Sequence, residues 1–300
     1  MTRTPGRRTF LAGLAAGVGS LGGCSALAGD RSPTVSLLAA GSLNNALENG
    51  LRPAVDATLQ VEARGSAEVA RLVAEAQKDP DVVSVADVAL FDSPMDPEWY
   101  AEFATNSVVV AYNQDTDGGQ HIADAGVDGW YRPLLDGDVS LGRTDPDLDP
   151  LGYRTLFVLE LAAEYYGTTA ELRAEIPRRE QVYPETQLVS QFETGSVDAA
   201  VTYRSMAVDR GYDYVELPPE IDLSTPEFAD RYASVSYELP GGNVVSGAPI
   251  SYASTVRDES PAVLDVFAEQ TTGQYLREYG FVVPTDYPRY TGNVPERVTH

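Results

Sequence analysis

An α/β fold in two lobes with a ligand cleft between them is what the sequence predicts, and three observations carry that reading. Short apolar strands alternate with helical stripes, the alternation comes in two successive sets, and a Gly-Ser pair follows each of the first two strands. The 300 residues, 43% of them hydrophobic, suffice for one large domain or two ordinary ones around a sizeable core, which excludes a wholly disordered chain.

The chain opens on an address and not on the fold. Arg3, Arg7 and Arg8 precede a small-residue apolar stretch from Phe10 to Leu21, too short to span a bilayer as a mature helix, and Leu21-Gly22-Gly23-Cys24 follows at once. Paired arginines before Thr9-Phe10-Leu11 resemble a twin-arginine export signal, and Leu-Gly-Gly-Cys resembles a lipobox. Residues 1–23 therefore read as a signal peptide, Cys24 as the lipidated N-terminus after cleavage, and residues 24–33 as a tether. No other stretch is apolar and long enough to cross a membrane. The expected mature protein is held by lipid at the outer face of the cell membrane.

Val35 to Ala39 reads as a strand that stops at Gly41-Ser42, after which Leu43, Leu47 and Leu51 recur at helical spacing. Leu59 to Ala63 repeats the unit, stopping at Gly65-Ser66; Val69, Leu72, Val73 and Ala76 form a helical stripe, with Ser66 placed to cap it and Glu68 in its first turn. A strand from Val88 to Phe91, a helix around Trp99 to Phe103 and a strand from Val108 to Tyr112 continue the rhythm, which argues for a mostly parallel sheet. The second set comprises strand Val139 to Arg143, helix Leu151 to Tyr166, a helix near Leu188 to Phe192, strand Ala199 to Tyr203, helix Met206 to Arg210 and strand Tyr214 to Leu217. Strands Ala233 to Glu238 and Val244 to Tyr252 flank Pro240-Gly241-Gly242-Asn243, and helical segments around Val263, Val266 and Phe267, then Tyr275 and Leu276, end the chain. The simplest arrangement assigns residues 34–107 plus 248–300 to lobe 1 and residues 108–247 to lobe 2, with extended crossovers near Val108 to Tyr112 and Ala248 to Ser254.

Composition narrows the chemistry. One cysteine and two histidines, His121 and His300, exclude an internal disulfide, a cysteine zinc site, an iron–sulfur cluster and a His-rich metal centre. A net charge of −24 repels nucleic acid. Lys78 is the only lysine among 21 basic residues, a salt-adapted pattern: screening lengths fall to about 3 Å at 1 M salt, where an acidic surface stays hydrated without strong self-repulsion. Residues 1–23 hold three arginines and no acid, so their removal takes the net charge from −24 to −27.

Gly41-Ser42 and Gly65-Ser66 at strand-to-helix turns outline an anion cradle: glycine admits close approach, serine donates, and first-turn N–H groups point outward. Serine is equally a common N-cap, so either pair alone is weak. More distinctive is Asp145-Pro146-Asp147-Leu148-Asp149-Pro150-Leu151-Gly152-Tyr153-Arg154. With Ala40-Gly41-Ser42-Leu43, Trp130-Tyr131 and Tyr203-Arg204-Ser205, it resembles the archaeal-type molybdate/tungstate-binding lipoproteins of ABC importers, and the resemblance spans nearly all the mature chain. Leu217-Pro218-Pro219-Glu220-Ile221-Asp222-Leu223 and Gly247-Ala248-Pro249-Ile250-Ser251-Tyr252 agree in order and spacing. Two departures are a shorter segment between Tyr166 and Tyr183 and Thr144 in place of the commoner serine.

That resemblance implies a type II periplasmic-binding-protein fold, mixed sheets flanked by helices, and a monomer that delivers an oxyanion to a membrane permease without a cofactor. It implies Gly41, Ser42 and Ser66 as donors from lobe 1 and Tyr203 from lobe 2. Asp149 and Glu185 would be the carboxylates that bond to the metal of the anion and complete six-coordination. Two carboxylates beside a dianion are repulsive unless they bond to its central atom, so they discriminate against sulfate and phosphate. Asp149 before Pro150 is also an ideal helix cap, Glu185 could equally be a solvated helix-start residue, and Glu193 lies nearby. Two alternatives stay open. Tyr165-Tyr166 is similar to the adjacent tyrosines of some ferric-iron-binding proteins of the same fold, and Asp149 with Glu185 could be the acid/base pair of a secreted hydrolase. No nucleophile motif supports the latter, and two tryptophans are few for a sugar cleft.

Overall fold

The computed structural model describes residues 32–298, with the side chain of Glu185 outside that description. The signal, Cys24 and most of the tether also lie outside the described residues. From Ser32 onward the chain is one compact unit. Its strands are β1 (Thr34–Ala40), β2 (Thr58–Arg64), β3 (Val82–Val85), β4 (Trp99–Asn106), β5 (Val108–Tyr112), β6 (Leu141–Gly142), β7 (Ala199–Tyr203), β8 (Asp213–Glu216), β9 (Ser236–Glu238), β10 (Val244–Ser246), β11 (Ile250–Val256) and β12 (Arg289–Gly292).

They form a six-stranded sheet in the order β12-β4-β11-β3-β1-β2 and a four-stranded sheet in the order β6-β7-β5-β8, with β9 and β10 as a separate ribbon. Both large sheets are mixed, which corrects the mostly parallel expectation. β1 runs parallel to β2 and β3, whereas β11 is antiparallel to β3 and β4. The reason is topological: β4 leaves the first sheet for the second, and β11 arrives from the opposite direction. Ser107 alone separates β4 from β5, and its carbonyl accepts from Arg204 N at 2.9 Å, which fixes the point where the chain passes from the first sheet to the second.

Other elements differ from the sequence reading for identifiable reasons. Val82–Val85 is the third strand, buried along its whole length, and so lacks the alternation that marks a half-exposed strand. Residues 88–91 form no strand; Phe91 opens a single helical turn and its ring stacks on Tyr100 with centroids 5.0 Å apart. Trp99 and Phe103, read as one face of a helix, lie on β4, because a spacing of four residues suits either period. The run Val244 to Tyr252 divides into β10 and the start of β11. Helices Asp117–Ala125 and Tyr131–Asp136 and strand β12 had no clear sequence signal. Leu43, Leu47 and Leu51 are all buried in the first core, and each contributes roughly 1.5–3 kcal/mol. They pin the segment after β1 and leave Ser42 exposed.

Candidate functional site

A cavity of about 480 Å³ opens where β1 and β2 end, facing the start of helix Arg204–Arg210; its walls include Gly41, Ser42, Ser66, Tyr203, Ser205 and Asp209. Four of the expected site residues therefore share one space. Ser66 does not cap its own helix, which corrects the expectation from sequence. Gly65 takes the N-cap place, Val69 N bonds to its carbonyl at 2.9 Å, and the Ser66 hydroxyl instead accepts from Ala86 N at 3.0 Å. Neither Gly41 nor Gly65 has a positive φ, and a Cβ at Gly65 would meet nothing within 4 Å. The fold does not require glycine at Gly65; its absence of a side chain leaves the wall of the cavity bare.

Tyr203 ends β7 and its hydroxyl accepts from Arg154 Nη1 at 2.6 Å, with the guanidinium 5.7 Å from the ring centre. Burial pushes the Tyr203 phenol up to about 12, with Arg154 pulling the other way and the Asp149 charge adding to the rise. The phenol is thus a protonated donor at neutral pH. Ser42 Oγ lies 2.8 Å from the Tyr252 hydroxyl. Asn45, three residues on, donates from its side-chain amide to the Asp209 carboxylate and ties the two walls together.

Asp149 is the N-cap of helix Pro150–Tyr165: Oδ1 accepts from Leu151 N at 2.7 Å, while Oδ2 has no hydrogen-bond partner among the described residues. It is not in the wall of the 480 Å³ cavity, but it is close enough for its charge to hold up both Tyr203 and Tyr153. Glu185 is the first residue of helix Glu185–Glu193, and its side chain lies outside the description. Glu193 is exposed and paired with Arg210 at 3.1 Å and the Tyr212 hydroxyl at 2.7 Å.

The acidic motif also has a structural function. Asp145 O accepts from Asp149 N at 2.9 Å and Asp145 Oδ1 from Asp147 N at 3.0 Å, a tight loop that delivers Asp149 to its cap. A Cβ on Gly152 would lie 2.5 Å from the Asp145 carbonyl carbon and the Pro146 nitrogen, so only glycine lets the loop close on the helix.

Tyr165 and Tyr166 meet edge to face at 5.0 Å. Tyr166 packs on Tyr131, donates to Val127 O and is pushed up to about 12 by burial, with neighbouring phenols and Asp128 adding to the rise and Trp130 opposing it. Tyr166 is thus engaged in packing between Tyr131 and Tyr165, with its hydroxyl spent on Val127. Three residues of the site went unassigned in the sequence: Arg154 and Tyr252, present in the family-like segments but given no function there, and Asn106, which no local pattern marks. Among the described residues no three His, Cys, Asp or Glu side chains group as a metal site, and no helix is long and apolar enough to cross a membrane.

A fold of two mixed sheets with donors converging on a cleft between them is that of a solute-binding protein. The family profile of bacterial extracellular solute-binding proteins matches residues 38–286, and the chain belongs to that family, whose members bind a solute for an ABC transporter and are not enzymes. It is 52% identical over 296 residues to a Haloferax volcanii protein assigned as an ABC transporter molybdenum-binding protein, covering 96% of this chain and 95% of that one. It is 32% identical over 324 residues to the molybdate/tungstate-binding protein of Pyrococcus abyssi, covering 94% and 93%. The periplasmic molybdate-binding protein of Azotobacter vinelandii shares the fold with a TM-score of 0.53 at 13% identity, over 84% of this chain and 100% of that one.

Proposed function

We propose that this chain binds molybdate or tungstate in the cleft and presents it to an ABC permease, as a monomer anchored through Cys24 and without a resident cofactor. The lobes of this reading are residues 34–107 plus 248–300 and residues 108–247. The observation that carries it is the gathering of Ser42, Ser66 and Tyr203 in the wall of one cavity, with Arg154 bonded to the Tyr203 hydroxyl as a cation. Sequence similarity to the molybdenum- and molybdate/tungstate-binding relatives supports the same choice. Lobe closure would bring these donors onto the anion's oxygens. Asp149, through its free Oδ2, and Glu185 would bond to the metal, which enters as cargo. The acidic, lysine-poor composition fits a halophilic setting, with the tether and lipid holding the mature protein at the outer membrane face.

Titration calorimetry on the mature chain in high salt tests this reading. Molybdate and tungstate should bind at least tenfold more tightly than sulfate or phosphate. Asp149→Asn and Glu185→Gln should each weaken molybdate roughly tenfold and, by removing a repulsive charge, strengthen sulfate, narrowing the gap from both sides. Equal losses for both anions would refute direct bonding to the metal.

A further inference from the structure

Each cavity hydroxyl has a protein group at its back. Ser66 accepts from Ala86 N, and Tyr203 accepts from Arg154, whose guanidinium can only donate. For Ser42 and Tyr252 the 2.8 Å contact alone leaves the direction open. Asn106 decides it. Its Oδ1 accepts from Ser107 N at 3.0 Å and Ser205 N at 3.3 Å, which fixes the amide so that Nδ2 donates to the Tyr252 hydroxyl at 3.2 Å and to Ser205 Oγ at 2.8 Å. Among the described residues the buried Tyr252 hydroxyl contacts only the Asn106 Nδ2 group, which can only donate, and Ser42 Oγ, so Ser42 is the one acceptor within reach of its proton. Ser42 then accepts from behind and turns its own proton to the cavity. Burial holds the Tyr252 phenol above its ordinary value, and the Phe281 ring lies edge-on at 5.1 Å, so the relay is protonated and fixed in place.

We propose that Asn106 is a positioning residue that acts through Tyr252 to hold the Ser42 hydroxyl as a donor to the bound anion. The proposal rests on the reading of the cleft as an oxyanion site. Its chemistry favours an anion with bare oxygens at that position, because a protonated oxygen would meet the Ser42 proton head-on. Asn106 also sits immediately before the crossing between the sheets and holds Ser205 of the far wall, so the same amide that orients Ser42 spans both lobes.

A double-mutant cycle on the mature chain, read as molybdate affinity in high salt, tests it. Tyr252→Phe keeps the ring and removes the relay; it should weaken binding roughly tenfold in the wild type and less than twofold when Ser42→Ala is already present. Asn106→Ala, taken through the same cycle, should cost less in the Ser42→Ala background than in the wild type, the remainder being its hold on Ser205 of the far wall, which keeps the test open should Tyr252→Phe fail to fold. A purely structural function would cost the same factor in both backgrounds, and that additive result overturns the relay while leaving the functional reading intact. Failure of the wild-type chain to bind molybdate, tungstate or sulfate overturns that reading, and the relay with it.

Discussion

Asp222→Asn is expected to stabilise the protein at pH 8 and to leave its stability near pH 4 unchanged. Asp222 is 5% exposed; its carboxylate accepts from Ser224 N at 2.8 Å and Ser224 Oγ at 2.9 Å. Burial pushes the carboxyl up to about 7; the two Ser224 bonds and the Tyr232 hydroxyl oppose the rise, and the Glu216 charge adds to it. The folded protein therefore holds a proton that the unfolded chain releases near pH 4. Stability from this group is complete below that pH, declines as pH rises from about 4 to about 7, and is lost above. A rise of about three pH units corresponds to about 4 kcal/mol at most. Asparagine keeps an acceptor for Ser224 N and donates to Ser224 Oγ, so both contacts with Ser224 survive without the charge. Chemical denaturation in high salt from pH 4 to 8 checks this, with the wild-type curve falling away from the variant's as pH rises. Parallel curves would sink the claim.

The second large effect is at Gly152, where Gly152→Ala should destabilise the protein by about 3 kcal/mol, a fall of roughly 6–9 °C in Tm. Helix propensity alone predicts the opposite sign, since alanine in a helix interior is favoured over glycine by about 1 kcal/mol. The sign decides between the two because Gly152 lies in the first turn of helix Pro150–Tyr165 with the backbone of Asp145 and Pro146 2.5 Å from where a Cβ would be. Backbone cannot rotate out of the way as a side chain can, so the loop must lift and take the Asp149 cap with it. A thermal melt that shows no change or a gain would overturn this account. Weaker molybdate binding by the same variant is the expected companion result.

Much of this was legible because its causes are local. Ala199–Tyr203 is a strand with the bounds read from its composition, and Asp149-Pro150 announces the N-cap that the structure contains. Ser42, Ser66 and Tyr203 were read from residues flanking chain turns and from family resemblance, and all three face one cavity. The misreadings have a common origin. Both Val82–Val85 and Trp99–Asn106 lack a pattern that separates strand from helix: the first is buried along its whole length and loses its alternation, and in the second Trp99 and Phe103 stand four residues apart, a spacing that suits either period.

Turn chemistry, capping, charge and the alternation of elements act over a handful of neighbouring residues, so the primary structure alone settles the class of fold and the segments that supply donors. Folding in three dimensions decides which way the strands run, which hydroxyls share a cavity and which atom holds each proton. Ser42 and Tyr252 are 210 residues apart and Asn106 and Tyr252 are 146 apart, distances in sequence that only the pairing of β4 with β11 beside β1 and β3 brings within hydrogen-bond reach. Burial in that assembly, and not composition, raises Tyr203, Tyr252 and Asp222 above their ordinary values, because the cost of charge depends on the water that packing removes.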